Sequence, residues 1–324
     1  MESIRRAAID IGTNSVKLLV ADVAGHEIQP VCEQSKQTRL GHGFYQTHRL
    51  QPDAIATTAT AVLGFAAMAR EAQAASIRII ATSAAREAVN REELTAAIEQ
   101  AASLKVEVIS GEQEAELGFQ GVTTDPQLAH APLLLMDVGG GSAQFISGRA
   151  GHIDSRHTFP LGSVRLLETH PCSDPRKPSE LAAFRRWLKH FMQTEVRPKL
   201  IQETGVDQSL LTSAATGPGG GVQLVGVGGT ATILACMEAE LEAFDRARIE
   251  ATRLSAARVS WHLEQLWSLS LEERKKIIGL PRNRADVILM GAAIYQAVME
   301  EFGFPELRVS TRGLRFAAVM VQGL

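Results

Sequence analysis

The sequence predicts an α/β protein built from two similar lobes. The first observation is length, because 324 residues suit two domains of roughly 100–200 residues better than one continuous core. The second is an internal repeat, in which the segment around Asp10 recurs around Asp137 with its Asp, Gly and Ser each displaced by 127 residues. The third is the order of predicted elements, a strand meander followed by alternating helices and strands.

Each copy of the repeat is a strand, a small-residue turn and a second strand. Turn A (residues 12–15, Gly-Thr-Asn-Ser) follows the first copy's strand, and turn B (residues 139–142, Gly-Gly-Gly-Ser) follows the second. Such turns offer backbone N–H groups and short polar side chains, which suit an anion such as phosphate. An ordinary hairpin turn is the competing interpretation of turn A. Two like lobes are expected to face their turns toward one cleft.

The first lobe is predicted to span residues 1–123. Strands are predicted at residues 4–12, 15–23, 27–34, 77–81 and 106–109, and a loop is predicted at 38–45. Helices are predicted at residues 52–74, after residue 82, at 91–103 and at 112–121. Pro52 and Asp53 suit the first turn of a helix, and Thr82 or Ser83 is expected to cap the helix that carries Arg86.

The second lobe is predicted to span residues 124–324, after a polar linker at 123–132. Its strands are predicted at residues 133–138, 142–148, 152–159, 222–227 and 307–310, and its helices at 179–202, 228–235, 258–268, 285–302 and 313–321. The last helix is expected either to pack on the first lobe or to form an interface. Glycine-rich residues 213–221 are interpreted as a flexible loop, because they precede a strand. Residues 228–230 follow a strand and open a helix, which favours anion binding.

Composition and charge limit which binding partners and which cellular compartment we expect for the protein. A net charge of −3 gives no overall footprint for DNA, RNA or a membrane surface. Cys32, Cys172 and Cys236 have no pairing or metal-site spacing, which favours reduced thiols in the cytoplasm. The N-terminal residues lack the apolar run of a signal peptide, and no uninterrupted apolar stretch is long enough to predict a membrane span.

Eight motifs, in order over nearly the whole chain, resemble the exopolyphosphatase/guanosine pentaphosphate phosphatase family. They are Asp10-Ile-Gly-Thr-Asn-Ser15, Ala81-Thr-Ser-Ala-Ala-Arg86, Ile109-Ser-Gly-Glu-Gln-Glu-Ala115, Asp137-Val-Gly-Gly-Gly-Ser142, Leu161-Gly-Ser-Val-Arg-Leu166, Gly226-Val-Gly-Gly-Thr230, Arg284-Ala-Asp286 and Ser310-Thr-Arg-Gly-Leu-Arg315. The resemblance implies the superfamily of actin, sugar kinases and heat-shock chaperone ATPases, with two ribonuclease H-like actin-type lobes whose mixed sheets flank a central cleft. The chain has no His-Asp dipeptide of the kind found in the extra C-terminal region of larger members, so we expect a short two-domain member.

The resemblance implies hydrolysis of a phosphoanhydride bond, catalysed by positioning, charge neutralisation and orientation of the nucleophile. The family's proposed general base is the Glu before Ala in a Ser-Gly-x-x-Glu-Ala pattern, which is Glu114 here and would orient or deprotonate water. Arg86 matches a family arginine whose planar charged group suits a transferring phosphoryl group. The residues alone leave open an exposed helix acid at Glu114 and a solvated arginine at Arg86.

The remaining predicted site residues bind phosphate, metal or substrate. The predicted phosphate-binding residues are Gly12, Thr13, Asn14, Ser15, Gly139, Gly140, Gly141, Ser142, Gly228, Gly229 and Thr230. Asp10 and Asp137 end strands where their carboxylates could hold Mg2+ or another divalent cation, or simply cap their own turns. Lys17 could reach a phosphate, and Arg284 stands where nucleotide-binding family members meet the base or ribose. Gln144 replaces an acid common in the family, so we expect weaker metal binding or slower turnover.

The leading hypothesis is a cytoplasmic, Mg2+-dependent exopolyphosphatase acting on inorganic polyphosphate. The close alternative is guanosine pentaphosphate 5′-phosphatase, which performs the same chemistry on a nucleotide. An alarmone- or polyphosphate-binding regulator with little turnover is a third hypothesis, suggested by Gln144. An ATP-dependent kinase of the same superfamily is a fourth, against which the second and third motifs argue. We expect a homodimer, because family members are often dimers, and no partner among DNA, RNA or membranes.

Overall fold

The computed structural model describes residues 2–204 and 221–320. The chain divides into two compact units, of which unit 1 comprises Met1–Pro126 with Arg312–Leu324 and unit 2 comprises Gln127–Thr311. The chain thus passes from unit 1 to unit 2 after residue 126, three residues later than the boundary that the sequence predicts after residue 123. The final helix belongs to unit 1 rather than to the second lobe. The loop predicted at residues 213–221 lies, except for its last residue, outside the described residues.

Unit 1 is built on a five-stranded mixed sheet. Its strands are β1 (Ile4–Ile11), β2 (Ser15–Ala24), β3 (Glu27–Gln37), β4 (Ser76–Ala81) and β5 (Val106–Val108), in the spatial order β3-β2-β1-β4-β5. The first three strands form the predicted antiparallel meander, and β4 and β5 continue the sheet parallel to β1. Turn A therefore lies at one end of the central strand of the sheet.

Unit 2 repeats this plan with one more strand. Its strands are β6 (Leu133–Val138), β7 (Ala143–Arg149), β8 (His152–Phe159), β9 (Gln223–Val227), β10 (Arg253–Ser255) and β11 (Glu306–Val309), in the order β10-β11-β9-β6-β7-β8. An antiparallel meander again comes first, and β9 and β11 again continue the sheet parallel to its first strand. Turn B thus has the place in this sheet that turn A has in the other, which confirms the internal repeat.

The helices between these strands agree with the predictions where they are long. They are α1 (Phe44–Thr47), α2 (Pro52–Glu71), α3 (Ser83–Glu87), α4 (Arg91–Ala102), α5 (Gly111–Val122), α6 (Ser163–Thr169), α7 (Pro178–Phe191), α8 (Arg197–Thr204), α9 (Gly228–Glu238), α10 (Arg246–Ala251), α11 (Ala256–Ser268), α12 (Leu271–Arg274), α13 (Ile288–Phe302) and α14 (Leu314–Met320). Four short helices and one short strand are not predicted from the sequence: α1, α6, α10, α12 and β10.

The single helix predicted at residues 179–202 is wrong in one respect. Between α7 and α8 the chain forms a π-helical segment, Met192–Val196, in which the N–H of Arg197 donates to the carbonyl of Met192, five residues earlier. Pro198 follows at once and has no N–H to return to the carbonyl four residues before it, so the regular α-helical ladder is interrupted there. The helix predicted at 285–302 also starts later, because a 3-10 turn at Arg282–Arg284 precedes it.

The core of unit 1 has two sides because successive side chains of a strand point to opposite faces. Ile9 and Ile11 pack with residues of α2 and α4 on one face. Ala8 packs with α5 and α14 on the other, where Phe316 and Val319 complete a second hydrophobic cluster. Asp10 follows Ala8 at a spacing of two and so lies on the face covered by α5 and α14.

Helix α2 is the one helix of the described chain that is long and apolar enough to cross a membrane by length and composition alone. Half of the apolar stretch of this helix is buried inside unit 1. Its buried residues Ile55, Val62 and Phe65 belong to the same cluster as the β1 side chains, so it packs as a core helix.

Candidate functional site

Turn A buries two polar donors that have no hydrogen-bond partner in the described part of the chain. Its Gly12 N–H donates to the Ser15 carbonyl at 3.0 Å and closes the turn. Thr13 and Asn14 are only 3% and 5% exposed, yet the hydroxyl of the first and the side-chain NH2 of the second lack a hydrogen-bond partner among the described residues. The carbonyl oxygen of the Asn14 side chain is already occupied by Gln37, which donates from Nε2 at 3.1 Å. Orphaned buried donors are rare in folded proteins and indicate a place for a ligand or a water.

The backbone carbonyls of turn A face the chain segment that follows β3. The N–H of Gly41 donates to the Thr13 carbonyl at 2.8 Å, and the N–H groups of Thr38 and Arg39 both donate to the Asn14 carbonyl at 3.1 Å. Gly41 packs closely against turn A, since a Cβ atom on it would lie 2.2 Å from Cγ2 of Thr13. The loop predicted at residues 38–45 therefore has a definite role as a support for turn A.

Turn B has the same 3.0 Å closure between the N–H of its first residue and the carbonyl of its last. Gln144 pairs across the strands with Asp137, just as Lys17 pairs with Asp10 in unit 1. The Gln144 side chain is 1% exposed and donates from Nε2 to the Ser142 hydroxyl at 2.9 Å. The residue that replaces a family acid is thus a buried, hydrogen-bonded part of turn B and not a surface change.

Asp10 is a half-buried carboxylate with two cations nearby. Burial raises the pKa of Asp10, and the positive charges of Lys17 and Arg315 partly oppose that rise. Arg315 is itself anchored, since it donates to the Leu18 carbonyl at 2.7 Å and pairs with Glu33 at 3.4 Å. Arg315 lies in the last of the eight motifs, but its role is not predictable from the sequence, because only the fold brings α14 to β1 and β2.

Asp137 is the last residue but one of β6 and lies beside the start of α9. Gly228 has φ +79°, and a Cβ atom there would lie 2.2 Å from the Asp137 Oδ1 atom, so both conformation and space require glycine. The Thr230 hydroxyl donates to the Val138 carbonyl at 3.0 Å and joins the first turn of α9 to the end of β6. Burial raises the pKa of Tyr295 well above its usual range, and the nearby charge of Asp137 adds to the rise.

Arg284 lies beside the same helix start. Its Nη2 atom would be 3.7 Å from a Cβ atom placed on Gly229. Unit 2 therefore brings together four predicted features: Asp137, turn B, residues 228–230 and Arg284. A carboxylate and an arginine at the positive end of a helix dipole can each interact with parts of a metal-bound phosphate.

Glu114 and Arg86 form an ion pair in unit 1. Arg86 Nη1 donates to Glu114 Oε2 at 2.9 Å and to the Ile109 carbonyl at 3.1 Å, and the two side chains are 21% and 13% exposed. Glu114 lies in the first turn of α5, which begins with a reciprocal capping box between Ser110 and Gln113. The cap determines where α5 starts and hence which acid of the Glu112, Glu114 and Glu116 series meets Arg86. Neither partner is a solvated surface residue.

The residues of the site can offer Mg2+ only a few protein ligands. Among the described residues no three His, Cys, Asp or Glu side chains form a group that could hold a metal. Mg2+ is commonly bound by one or two carboxylates together with waters and substrate phosphate oxygens. Asp137 fits that role, with the neutral Gln144 beside it in place of a second carboxylate. Asp10 fits it less well, because Lys17 and Arg315 already contribute positive charge there.

Besides Arg315, two residues that support the turns carry no predicted role. Arg165 contacts turn B, and Gln37 holds the Asn14 amide. For Arg165 a signal exists, since it lies in the family motif Leu161–Leu166. For Gln37 no local signal exists, because a polar residue near the end of an edge strand is unremarkable in sequence.

An α/β protein with this duplicated sheet order, an Asp-bearing hairpin in each unit and an Arg–Glu pair in one of them is of the actin-like fold class. The model of the Ppx/GppA phosphatase family matches residues 19–320, and the chain belongs to that family. Exopolyphosphatase 2 of Mycobacterium tuberculosis is 33% identical over 325 residues, covering 96% of this chain and 96% of that protein.

Two solved structures agree in fold. The crystal structure of the Aquifex aeolicus member of the Ppx/GppA family has a TM-score of 0.76 at 27% identity and covers 98% of this chain and 97% of its own. An exopolyphosphatase from Cytophaga hutchinsonii has a TM-score of 0.81 at 25% identity and covers 97% and 96%. The predicted family and fold class are confirmed by these similarities.

Proposed function

We propose that the protein is an exopolyphosphatase that hydrolyses the terminal phosphoanhydride bond of inorganic polyphosphate. The observation that carries the proposal is the Arg86–Glu114 ion pair, which joins a carboxylate able to accept a proton from water with a cation suited to a phosphoryl group. Membership of a phosphatase family supports it, as does the name exopolyphosphatase borne by a relative of nearly equal length.

Two donors of turn A that lack a partner among residues 2–204 and 221–320 support binding of an anion with several oxygen atoms. The Thr13 hydroxyl and the Asn14 NH2 group are buried and already oriented by the turn, so a phosphate oxygen can accept from them without reorganising the chain. The Asn14 amide cannot rotate freely because Gln37 holds its other end. In this proposal, turn A recognises phosphate and performs no proton transfer.

In the proposed reaction a water molecule attacks the terminal phosphorus and the bridging P–O bond breaks. The water proton passes to the Glu114 carboxylate, and the bridging oxygen leaves with the shortened chain, so that orthophosphate is released. Arg86 holds that carboxylate in one orientation through its 2.9 Å hydrogen bond and adds positive charge beside it. Bound Mg2+ would supply neutralisation of phosphate charge, with Asp137 as the carboxylate that holds it.

The proposal is tested by measuring orthophosphate release from long-chain polyphosphate in the presence of Mg2+. Glu114→Gln is expected to lower kcat by about 10²–10⁴-fold while polyphosphate still binds, because the amide keeps the shape of the side chain but cannot accept the proton. Glu112→Gln is the matched control, since Glu112 lies in the same helical turn and is exposed. Chelation of divalent cations is expected to stop turnover of the wild-type protein.

Two outcomes would contradict the proposal at different points. No phosphate release from polyphosphate by the wild-type protein would refute the exopolyphosphatase activity. Unchanged function in Glu114→Gln would refute the base and favour a binding regulator with little turnover.

A guanosine pentaphosphate 5′-phosphatase is the second candidate function. The position of Arg284 beside Gly229 favours it, because a planar guanidinium can stack on or hydrogen-bond to a nucleotide base. Comparing kcat/KM for polyphosphate and guanosine pentaphosphate separates the two. A higher value for the nucleotide, lost in Arg284→Ala, would make the nucleotide the preferred substrate.

We also propose that the protein acts in the cytoplasm as a homodimer and needs no nucleic acid or membrane partner. Cys32, Cys172 and Cys236 are free thiols, and burial raises the pKa of the last two, as suits unreactive reduced cysteines. The dimer rests on the family resemblance alone. Sedimentation equilibrium is expected to give twice the mass of the chain, and a monomer mass at micromolar concentration would refute it.

A further inference from the structure

The first three residues of α6 donate hydrogen bonds to the carbonyl of every glycine in turn B. The Ser163 N–H donates to the Gly139 carbonyl at 3.0 Å. The N–H groups of Val164 and Arg165 donate to the Gly140 carbonyl at 2.8 and 3.0 Å. The Gly141 carbonyl accepts from Arg165 Nε at 2.7 Å. The opening N–H groups of α6, which have no partner within the helix, are satisfied by turn B.

This arrangement determines where the N–H groups of turn B point. In a trans peptide the carbonyl of one residue and the N–H of the next point in opposite directions. Because the three glycine carbonyls all point toward α6, the N–H groups of Gly140, Gly141 and Ser142 point away from it. Three successive N–H groups on one side of a turn form a concave anion-binding surface.

Turn B needs such support more than turn A does. In turn A the third residue is Asn14, whose backbone carbonyl accepts two backbone N–H groups and whose side chain is held by Gln37. In turn B the third residue is Gly141, which has no side chain to hold, and two further glycines precede it. Glycine has the largest backbone freedom of any residue, so an unsupported triglycine would sample many directions of its N–H groups.

We propose that Arg165 is a positioning residue that keeps turn B in its phosphate-binding shape by fixing the Gly141 peptide. It acts on the peptide whose nitrogen belongs to Ser142, and so sets the third donor of the surface. The inference rests on the proposed function for the identity of the anion, a phosphate group of a polyphosphate chain. It assigns no contact between Arg165 and the substrate.

The test measures tripolyphosphate binding by isothermal titration calorimetry and polyphosphate hydrolysis by phosphate release, with the full chain. Arg165→Ala is expected to raise the tripolyphosphate Kd and the polyphosphate KM by about tenfold, the size of one hydrogen bond made by a charged group, with a smaller change in kcat. Arg165→Lys is expected to recover part of the affinity, because it keeps a cationic donor without the planar geometry. Arg186→Ala is the control, as Arg186 is an exposed arginine of unit 2.

The outcomes separate this inference from the proposed function. Wild-type Kd and KM in a folded Arg165→Ala protein would overturn the positioning role, even if its melting temperature fell. If Arg165→Ala does not fold, Arg165→Lys decides, and wild-type tripolyphosphate affinity in that variant would overturn it. If the wild-type protein binds tripolyphosphate but hydrolyses no polyphosphate, the proposed function fails, and loss of that binding in Arg165→Ala would still support the inference.

Discussion

Replacing Gly162 by alanine tests whether the backbone contact between the start of α6 and turn B is as tight as the structure has it. A Cβ atom on Gly162 would lie 2.2 Å from the Gly140 carbonyl oxygen and 2.3 Å from the Gly141 carbonyl carbon. The three nearest atoms are all backbone, so no side-chain rotation relieves the clash with them. The φ of Gly162 is −115°, which alanine adopts without strain, so the effect is purely steric.

The size of the effect follows from two opposing contributions. Turn B would have to move by about 1 Å to reach ordinary contact distance, and overpacking of this kind costs about 1–3 kcal/mol of unfolding free energy. Replacing glycine by alanine in an allowed conformation returns about 0.4–1 kcal/mol by reducing the entropy of the unfolded chain. The net expectation is a loss of about 1–2 kcal/mol in unit 2. The same displacement is expected to raise the KM for polyphosphate.

Gly41→Ala is the matched substitution in unit 1. Its Cβ atom would also meet an atom at 2.2 Å, but that atom is the Cγ2 methyl of Thr13, which can turn away about χ1. We expect a stability change of less than about 1 kcal/mol. The two units can be followed separately, because Trp187, Trp261 and Trp267 all lie in unit 2.

The assay is urea unfolding followed by tryptophan fluorescence, with circular dichroism for the whole chain. Gly162→Ala should move the fluorescence transition to lower urea, and Gly41→Ala should leave it in place. An unchanged fluorescence midpoint together with an unchanged KM in Gly162→Ala would refute the tight contact. Equal losses in the two variants would refute the distinction between backbone and side-chain clashes.

Two further predictions concern unit 1. Since burial raises the pKa of Asp10, the folded state holds that proton more tightly than the unfolded state, so stability is expected to fall as pH rises from the ordinary Asp pKa through the raised folded one. Asp10→Asn should therefore melt higher than wild type at neutral pH and show a flatter pH profile by calorimetry, and a lower melting temperature there would contradict this. Arg39 has φ +51°, so Arg39→Gly is expected to be about 1 kcal/mol more stable than Arg39→Ala in urea unfolding, and equal midpoints would show that the left-handed conformation carries no cost.

The repeat is predictable from sequence because its signal is local. Asp10 and Asp137 each precede a turn of the same length, and matching strands flank both turns, so the equivalence of the hairpins needs no knowledge of the remaining chain. The equivalence of Lys17 and Gln144 follows from the same spacing and becomes evident once the strand registers are known. The long helices are predictable for a similar reason, since their apolar patterns extend over several turns.

Contacts between distant segments are not predictable in this way. The pairing of Glu114 with Arg86 joins residues 28 positions apart, and the spacing of the three acids in α5 could not select the one that faces inward. The support of turn B by Arg165 depends on α6, whose seven residues are too few to show a helical period. The π-helical segment differs from these, because Pro198 is a local signal: its missing N–H group predicts an interrupted helix from the sequence alone.

The final helix gives unit 1 an unusual dependence on the end of the chain. Residues 1–126 and 312–324 form this unit, and all of unit 2 lies between them in sequence. Gly121 of α5 packs against the backbone of Gly313, Phe316 and Val319 complete the hydrophobic cluster behind Asp10, and the Met320 carbonyl accepts from Arg6 at 2.7 Å. Because translation runs from the N-terminus, all residues of unit 2 are synthesised before the last residues of unit 1. The face of unit 1 that holds Asp10 and packs against the Glu114-bearing helix is therefore completed last, after all of unit 2 has been translated.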